Sequence, residues 1–115
     1  MFVVAGESLI DLVSKPRRTG GAPEFAAHPG GSPYNCARAL ALLGVETGFL
    51  CPISNDAFGD MLLGPLEEAG VVPLLGARSA RPTALAVMTP DARGLPRYTF
   101  YREGTAERDL DRPAL

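Results

Sequence analysis

The stretch Gly30-Gly31-Ser32-Pro33-Tyr34-Asn35-Cys36-Ala37-Arg38-Ala39-Leu40-Ala41-Leu42-Leu43-Gly44 decides how this 115-residue chain is read. Ser32-Pro33 is a compact helix start, because a Ser side chain can cap the free amides and Pro is preorganised for the first helical position. Cys36, Ala39, Leu40 and Leu43 then recur at i, i+3, i+4 and i+7, which predicts one apolar face, and Gly44 suits the position just past the helix end. Ahead of the helix, two consecutive glycines let a backbone approach a ligand closely, the helix N-terminus leaves amides free, and Asn35 can both donate and accept. Such a turn suits a polyhydroxylated ligand or an anion, and on spacing alone it equally suits a tight loop that needs Gly for its dihedrals. No Lys-Ser or Lys-Thr follows, and Gly6-Glu7-Ser8 lacks the Gly-x-Gly-x-x-Gly spacing, so phosphate binding is the weaker functional option.

Upstream, Met1 to Ala5 is a continuous apolar run that stops at Gly6, which predicts a central parallel strand buried on both faces. The chain resumes as Leu9-Ile10-Asp11-Leu12-Val13, an apolar stretch with an acid inside it. Ligands of open α/β sheets sit just beyond the carboxyl ends of the strands, where Asp11 can accept two sugar hydroxyls or serve as a capping or salt-bridging acid. Lys15 to Gly31, rich in Gly, Pro and charge, reads as a short edge strand or a surface excursion. Downstream, Glu46 to Cys51 reads as a second strand. Asp56 can cap a second helix with Phe58, Met61, Leu62, Leu66 and Ala69 on its apolar face, ended by Gly70. Pro65 inside it predicts a kink or break. Val71 to Leu75 reads as a third strand. Thr83 to Met88 and Arg97 to Arg102 flank a turn-rich segment and should pair as an antiparallel hairpin. Tyr98 and Phe100 share one strand face, with core packing as their default. Arg102 ends that strand; its planar fork can hold a carboxylate or several oxygens, and an exposed hairpin Arg is the plainer alternative. The element order indicates α/β packing with an antiparallel addition.

Composition agrees with one folded domain: 46% of the residues are apolar and the formal charge is −2. The 13 Gly and 11 Pro predict short elements with many turns rather than a helical bundle. Without surplus positive charge, nucleic acid and anionic membranes are poor partners, and small molecules or proteins better ones. No apolar run approaches the roughly 18 residues that cross a bilayer, and no basic region precedes the hydrophobic start, so a soluble, cytoplasmic protein is expected. Cys36, Cys51 and the single His28 supply no zinc ligand set; the thiols are expected to be reduced and in the core. His28 has no partner visible in the sequence and is not assigned to catalysis.

Together these segments resemble the N-terminal half of the ribokinase-like, or PfkB-type, carbohydrate kinases, most closely the fructokinase-like members. The likeness rests on Val3 to Val13, on Gly30 to Gly44, on Asn55-Asp56-Ala57-Phe58-Gly59 with Leu62-Leu63, on Arg81 to Ala86, and on Phe100-Tyr101-Arg102-Glu103-Gly104-Thr105-Ala106, in the family's order. The resemblance implies a three-layer α/β/α fold with a small β-sheet lid, here only its N-terminal part over residues 1–115, with lid segments at about 14–29 and 83–102. It implies a sugar site of Asp11, Gly30, Gly31, Asn35 and Arg102. The substrate would be fructose, a related hexose or a keto-sugar acid, and the lid strands would form a homodimer contact. The family reaction transfers the γ-phosphoryl group of ATP to a sugar hydroxyl with Mg²⁺. The family's Gly-Ala-Gly-Asp type motif, which carries the catalytic base, has no counterpart after Arg102. The chain alone is therefore expected to be inactive, to hold no complete ATP or metal site, and to be either part of a kinase or a non-catalytic sugar-binding or dimerisation module. A parallel sheet of about three strands leaves an edge uncovered, which predicts self-association.

Overall fold

The elements in chain order are β1 (Phe2–Ala5), β2 (Leu9–Ser14), β3 (Phe25–Gly30), α1 (Ser32–Leu42), β4 (Thr47–Leu50), α2 (Ala57–Ala69), β5 (Val72–Pro73), β6 (Leu85–Pro90) and β7 (Pro96–Tyr101). They are seen in a computed structural model that describes residues 1–16 and 20–110. Two sheets result: β1-β4-β5, all parallel, and β3-β2-β6-β7, in which β2 and β6 are parallel and the outer pairs antiparallel. This is the α/β architecture with an antiparallel addition that the element order predicts. The hairpin forms as expected, with Leu85 opposite Tyr101 and Pro90 opposite Pro96.

The core gathers Ile10, Tyr34, Phe49, Leu62, Leu66 and Val71 between the two helices, β4 and the foot of β2. Tyr34 packs edge-on against Phe49, ring centroids 6.0 Å apart. Its hydroxyl donates to the Leu62 carbonyl at 2.6 Å, and burial, against the pull of Arg38, raises the phenol to about 12. The strand period of two explains the acid in the apolar stretch: Ile10 enters the core, while Leu9 and Asp11 project from the opposite face.

Asp56 caps α2 as expected, its Oδ1 accepting the Gly59 amide at 2.8 Å, and Gly70 ends the helix at φ +85°. The same carboxylate accepts the Thr83 amide at 2.9 Å and the Thr83 hydroxyl at 2.7 Å, tying α2 to the approach to β6. Burial works to raise the Asp56 pKa, and the hydrogen bonds from Thr83 and Gly59 together hold it below its ordinary value.

Several expectations are corrected. β1 is not a central strand buried on both faces: among the described residues it pairs only with β4, and Phe2 and Val3 are 65% and 56% exposed. An apolar run is doubly buried only where layers cover both its faces, and here the cover is one-sided. Pro65 does not break α2, since the helix runs from Ala57 to Ala69. Buried Leu62 and Leu66 anchor the turns on either side of the missing amide. The buried face of α1 is Tyr34 and Ala37, whereas Cys36, Ala39 and Leu43 are exposed, because the large Tyr34 ring fills the space over β4. Only Cys51 is a core thiol: burial chiefly, against the Ser8 hydrogen bond, raises it to about 11, and Cys36 lies on the surface. The strand expected over Val71 to Leu75 shrinks to Val72–Pro73. Tyr98 and Phe100 share a face but are not core, being 57% and 54% exposed.

Candidate functional site

Two glycine positions bring the ends of separate elements together. Gly6 leaves β1 at φ +151°, and the Pro33 ring fills the place of a side chain, 2.5 Å from where a Cβ would stand. Gly31 adopts φ +104°, with the Glu7 carbonyl 3.1 Å from its own would-be Cβ. Both dihedrals lie where L side chains are strained, so the β1–β2 junction can lie flat against the start of α1 only with glycine there. Gly30 serves a different purpose: Asp11 Oδ2 is 2.6 Å from the place of a Cβ, so the missing side chain makes room for a carboxylate.

Asp11 is not beyond the end of a central strand, as the open-sheet rule suggests, but inside β2 of the four-stranded sheet. Its register places it opposite His28 on β3 and Ala86 on β6, and Ala86 is opposite Phe100 on β7. These four share one rung and one face, since directly paired residues point the same way. The small Ala86 leaves a hollow between the Asp11 carboxylate and the Phe100 ring. Tyr98 stacks on Phe100, centroids 6.2 Å apart and planes within 15°. The result is a cleft of about 320 Å³ lined by Glu7, Leu9, Asp11, Gly31, Ser32 and Asn35 on one side and Ala86, Tyr98 and Phe100 on the other. Arg102 stands beside it, 4.8 Å over the Phe100 ring, with Nη1 3.4 Å from Glu7 Oε2.

Of the residues singled out in the sequence, Asp11, Gly31 and Asn35 thus line one cleft, Gly30 lies beneath the Asp11 carboxylate, and Arg102 touches two lining residues without lining the cleft itself. Ser32 does not cap α1. Gly31 occupies the cap position with no side-chain hydrogen bond, which leaves the first-turn amides free for a ligand. His28 shares the Asp11 face but stays outside the cleft, exposed. Sequence reasoning missed Glu7, whose only signal is its place at a strand exit after Gly6, and it assigned Tyr98 and Phe100 to a core. Among the described residues no three His, Cys, Asp or Glu side chains converge.

A parallel α/β layer with a second, mixed sheet laid beside it defines an α/β protein, and its cleft is lined by carboxylate, amide and aromatic groups. The chain belongs to the pfkB family of carbohydrate kinases, whose family model matches residues 1–113. It is 38% identical over 109 residues to a fructokinase of Rhizobium leguminosarum bv. trifolii, covering 94% of this chain and 32% of that one. It is 40% identical to fructokinase-1 of Oryza sativa subsp. japonica, covering 100% and 36%. Its fold is similar to the crystal structure of a fructokinase from Xylella fastidiosa, with a TM-score of 0.89, 36% identity, and coverage of 95% of this chain and 36% of the other. That enzyme has also been crystallised with bound ATP. The chain spans about a third of the length of the relatives it matches.

Proposed function

We propose that this chain carries the sugar-binding portion of an ATP-dependent carbohydrate kinase acting on fructose or a related sugar. The observation that carries this reading is the convergence of Asp11, Gly31 and Asn35, far apart in character and drawn from two elements, on one cleft. Asp11, held over Gly30, accepts hydrogen bonds from adjacent sugar hydroxyls. The Asn35 amide donates and accepts in the same plane, and Gly31 lets the sugar approach the backbone at the open start of α1. Tyr98 and Phe100 offer an apolar face to the sugar's C–H surface. Arg102 supplies a cation beside the ring. In the complete reaction a sugar hydroxyl attacks the γ-phosphoryl group of ATP with Mg²⁺ present. The residues of this chain bind and orient the sugar, and none is assigned as the base or the metal ligand. Similarity to fructokinases over the whole of this chain supports the substrate class.

The reading extends to a cytoplasmic protein that forms a homodimer through the lid sheet. Exposed Phe25 on β3 and Tyr101 on β7, the two outer strands of the four-stranded sheet, support that contact. No described helix is long and apolar enough to cross a membrane. Calorimetric titration with fructose tests the sugar site. Asp11→Ala should lower the affinity at least about tenfold by removing a charged hydrogen-bond acceptor, and unchanged binding would overturn the assignment.

A further inference from the structure

Of the four strands that end a sheet, three carry residues that discourage a further strand from adding. β5 contains Pro73, β3 contains His28 and Pro29, and β7 contains Pro96 and Arg97. β1, Phe2-Val3-Val4-Ala5, has neither a proline nor a charge, and among the described residues it pairs only with β4. The pairing fixes which backbone groups it leaves open. The Phe2 N–H donates to the Glu46 carbonyl at 2.8 Å and the Gly6 N–H to the Leu50 carbonyl at 3.4 Å. Because a strand repeats every two residues, the N–H and C=O groups of Val3 and Ala5 turn the other way, to the free edge. The side chains follow the same period: Val4 packs on the core, whereas Val3 and Ala5, on the opposite face, are exposed.

Val3 and Ala5 flank Val4 symmetrically, so this edge matches itself when reversed. A second β1 laid antiparallel, with Val4 opposite Val4, sets Val3 of each copy opposite Ala5 of the other. Each of those two pairs exchanges both of its N–H···O=C bonds, and the open backbone groups are satisfied. On the exposed face the Val3 side chain of one copy then lies beside Ala5 of the other, which removes apolar surface from water. The pairing strands carry no charge and the chain has a formal charge of only −2, so two copies meet along this edge without like charges opposed. We infer that the β1 edge is an interaction surface for a second copy of this chain, joined by antiparallel β1–β1 pairing about a two-fold axis at Val4. It is separate from the sugar site and from the lid contact, both of which belong to the four-stranded sheet.

The experiment combines sedimentation velocity with amide hydrogen exchange read by NMR, both over a range of concentrations of the full chain. Tyr101→Lys, on β7, removes the lid contact and isolates the β1 edge. A four-residue strand makes a small interface, so this variant should pass from monomer to dimer between about 1 μM and about 1 mM. Adding Val3→Lys or Ala5→Lys, each at an exposed position, should raise the midpoint of that transition at least about tenfold. In the unmodified chain the Val3 and Ala5 amides should exchange several-fold more slowly as concentration rises, while those of Phe2 and Val4, on the β4 side, change far less. A Tyr101→Lys chain that stays monomeric throughout overturns the inference and leaves the edge to a different polypeptide. A dimer that survives both β1 substitutions overturns it as well. The exchange measurement needs no substitution at β1, so it decides the matter even where a variant fails to fold: association without slower exchange at Val3 and Ala5 overturns the β1 pairing.

Discussion

The two sheets of this molecule are used in opposite ways. The β1-β4-β5 layer packs through β4 and the helices into a core where Tyr34, Phe49, Leu62 and Leu66 are at most 1% exposed. The β3-β2-β6-β7 sheet ends in β7, every residue of which is exposed. Both carry aromatic side chains, Phe2 and Phe49 in the first and Phe25, Tyr98, Phe100 and Tyr101 in the second. The difference is what covers them: two helices bear on the first sheet, whereas the aromatic face of β6–β7 looks into an open cleft. Burial therefore converts aromatic area into stability in one region, and its absence leaves the same kind of area available to a ligand in the other.

Mutations on the two sides should separate stability from binding. The largest effect is expected at Leu66→Ala, which empties a fully buried site and should cost about 2–5 kcal/mol in urea unfolding. A loss below about 1 kcal/mol would mean that the helical layer is no better packed than the cleft sheet. Asp56→Ala comes next, at about 2 kcal/mol, because it removes the cap of α2 and the anchor for Thr83 together. This variant sharpens the comparison, since Asp56 ties the helical layer to the approach to β6; two melting transitions in place of one would show that the layers fold separately. The folded-state pKa of Asp56 lies below its ordinary 3.8. Its stabilising contribution is therefore fully present above that value and lost as pH falls through the lower, folded one. Acid unfolding of the unmodified chain should accordingly carry a component that Asp56→Asn lacks. The smallest change in stability is expected for Phe100→Ala, within about 1 kcal/mol because the ring is half exposed. That variant should nonetheless weaken fructose binding several-fold, and a purely structural loss would return Phe100 to the core assignment that the sequence suggests.

The helix starting at Ser32, the cap at Asp56, the Gly70 stop and the β6–β7 hairpin are legible because each is set by neighbours within a few residues. The α1 face was not: Cys36, Ala39, Leu40 and Leu43 have helical spacing, but so do Tyr34 and Ala37, and only the contact with Phe49 decides which set turns inward. Asp11 stands out as an acid in an apolar stretch, and β2 alternation gives the reason, yet nothing local says which sheet β2 joins. Glu7 is not legible in the sequence because its place at the cleft depends on a turn at Gly6 and on Arg102, far along the chain.

The sequence by itself determined the class of fold, the positions of the two helices and the residue types gathered at the cleft, since periodicity, capping and glycine chemistry act locally. Tertiary structure alone decided that β1 is exposed, that Tyr98 and Phe100 line a cleft rather than fill a core, and that Glu7 comes within 3.4 Å of Arg102. Each of these depends on which distant surface lies opposite, and a residue's chemistry says what it can do without saying what will face it.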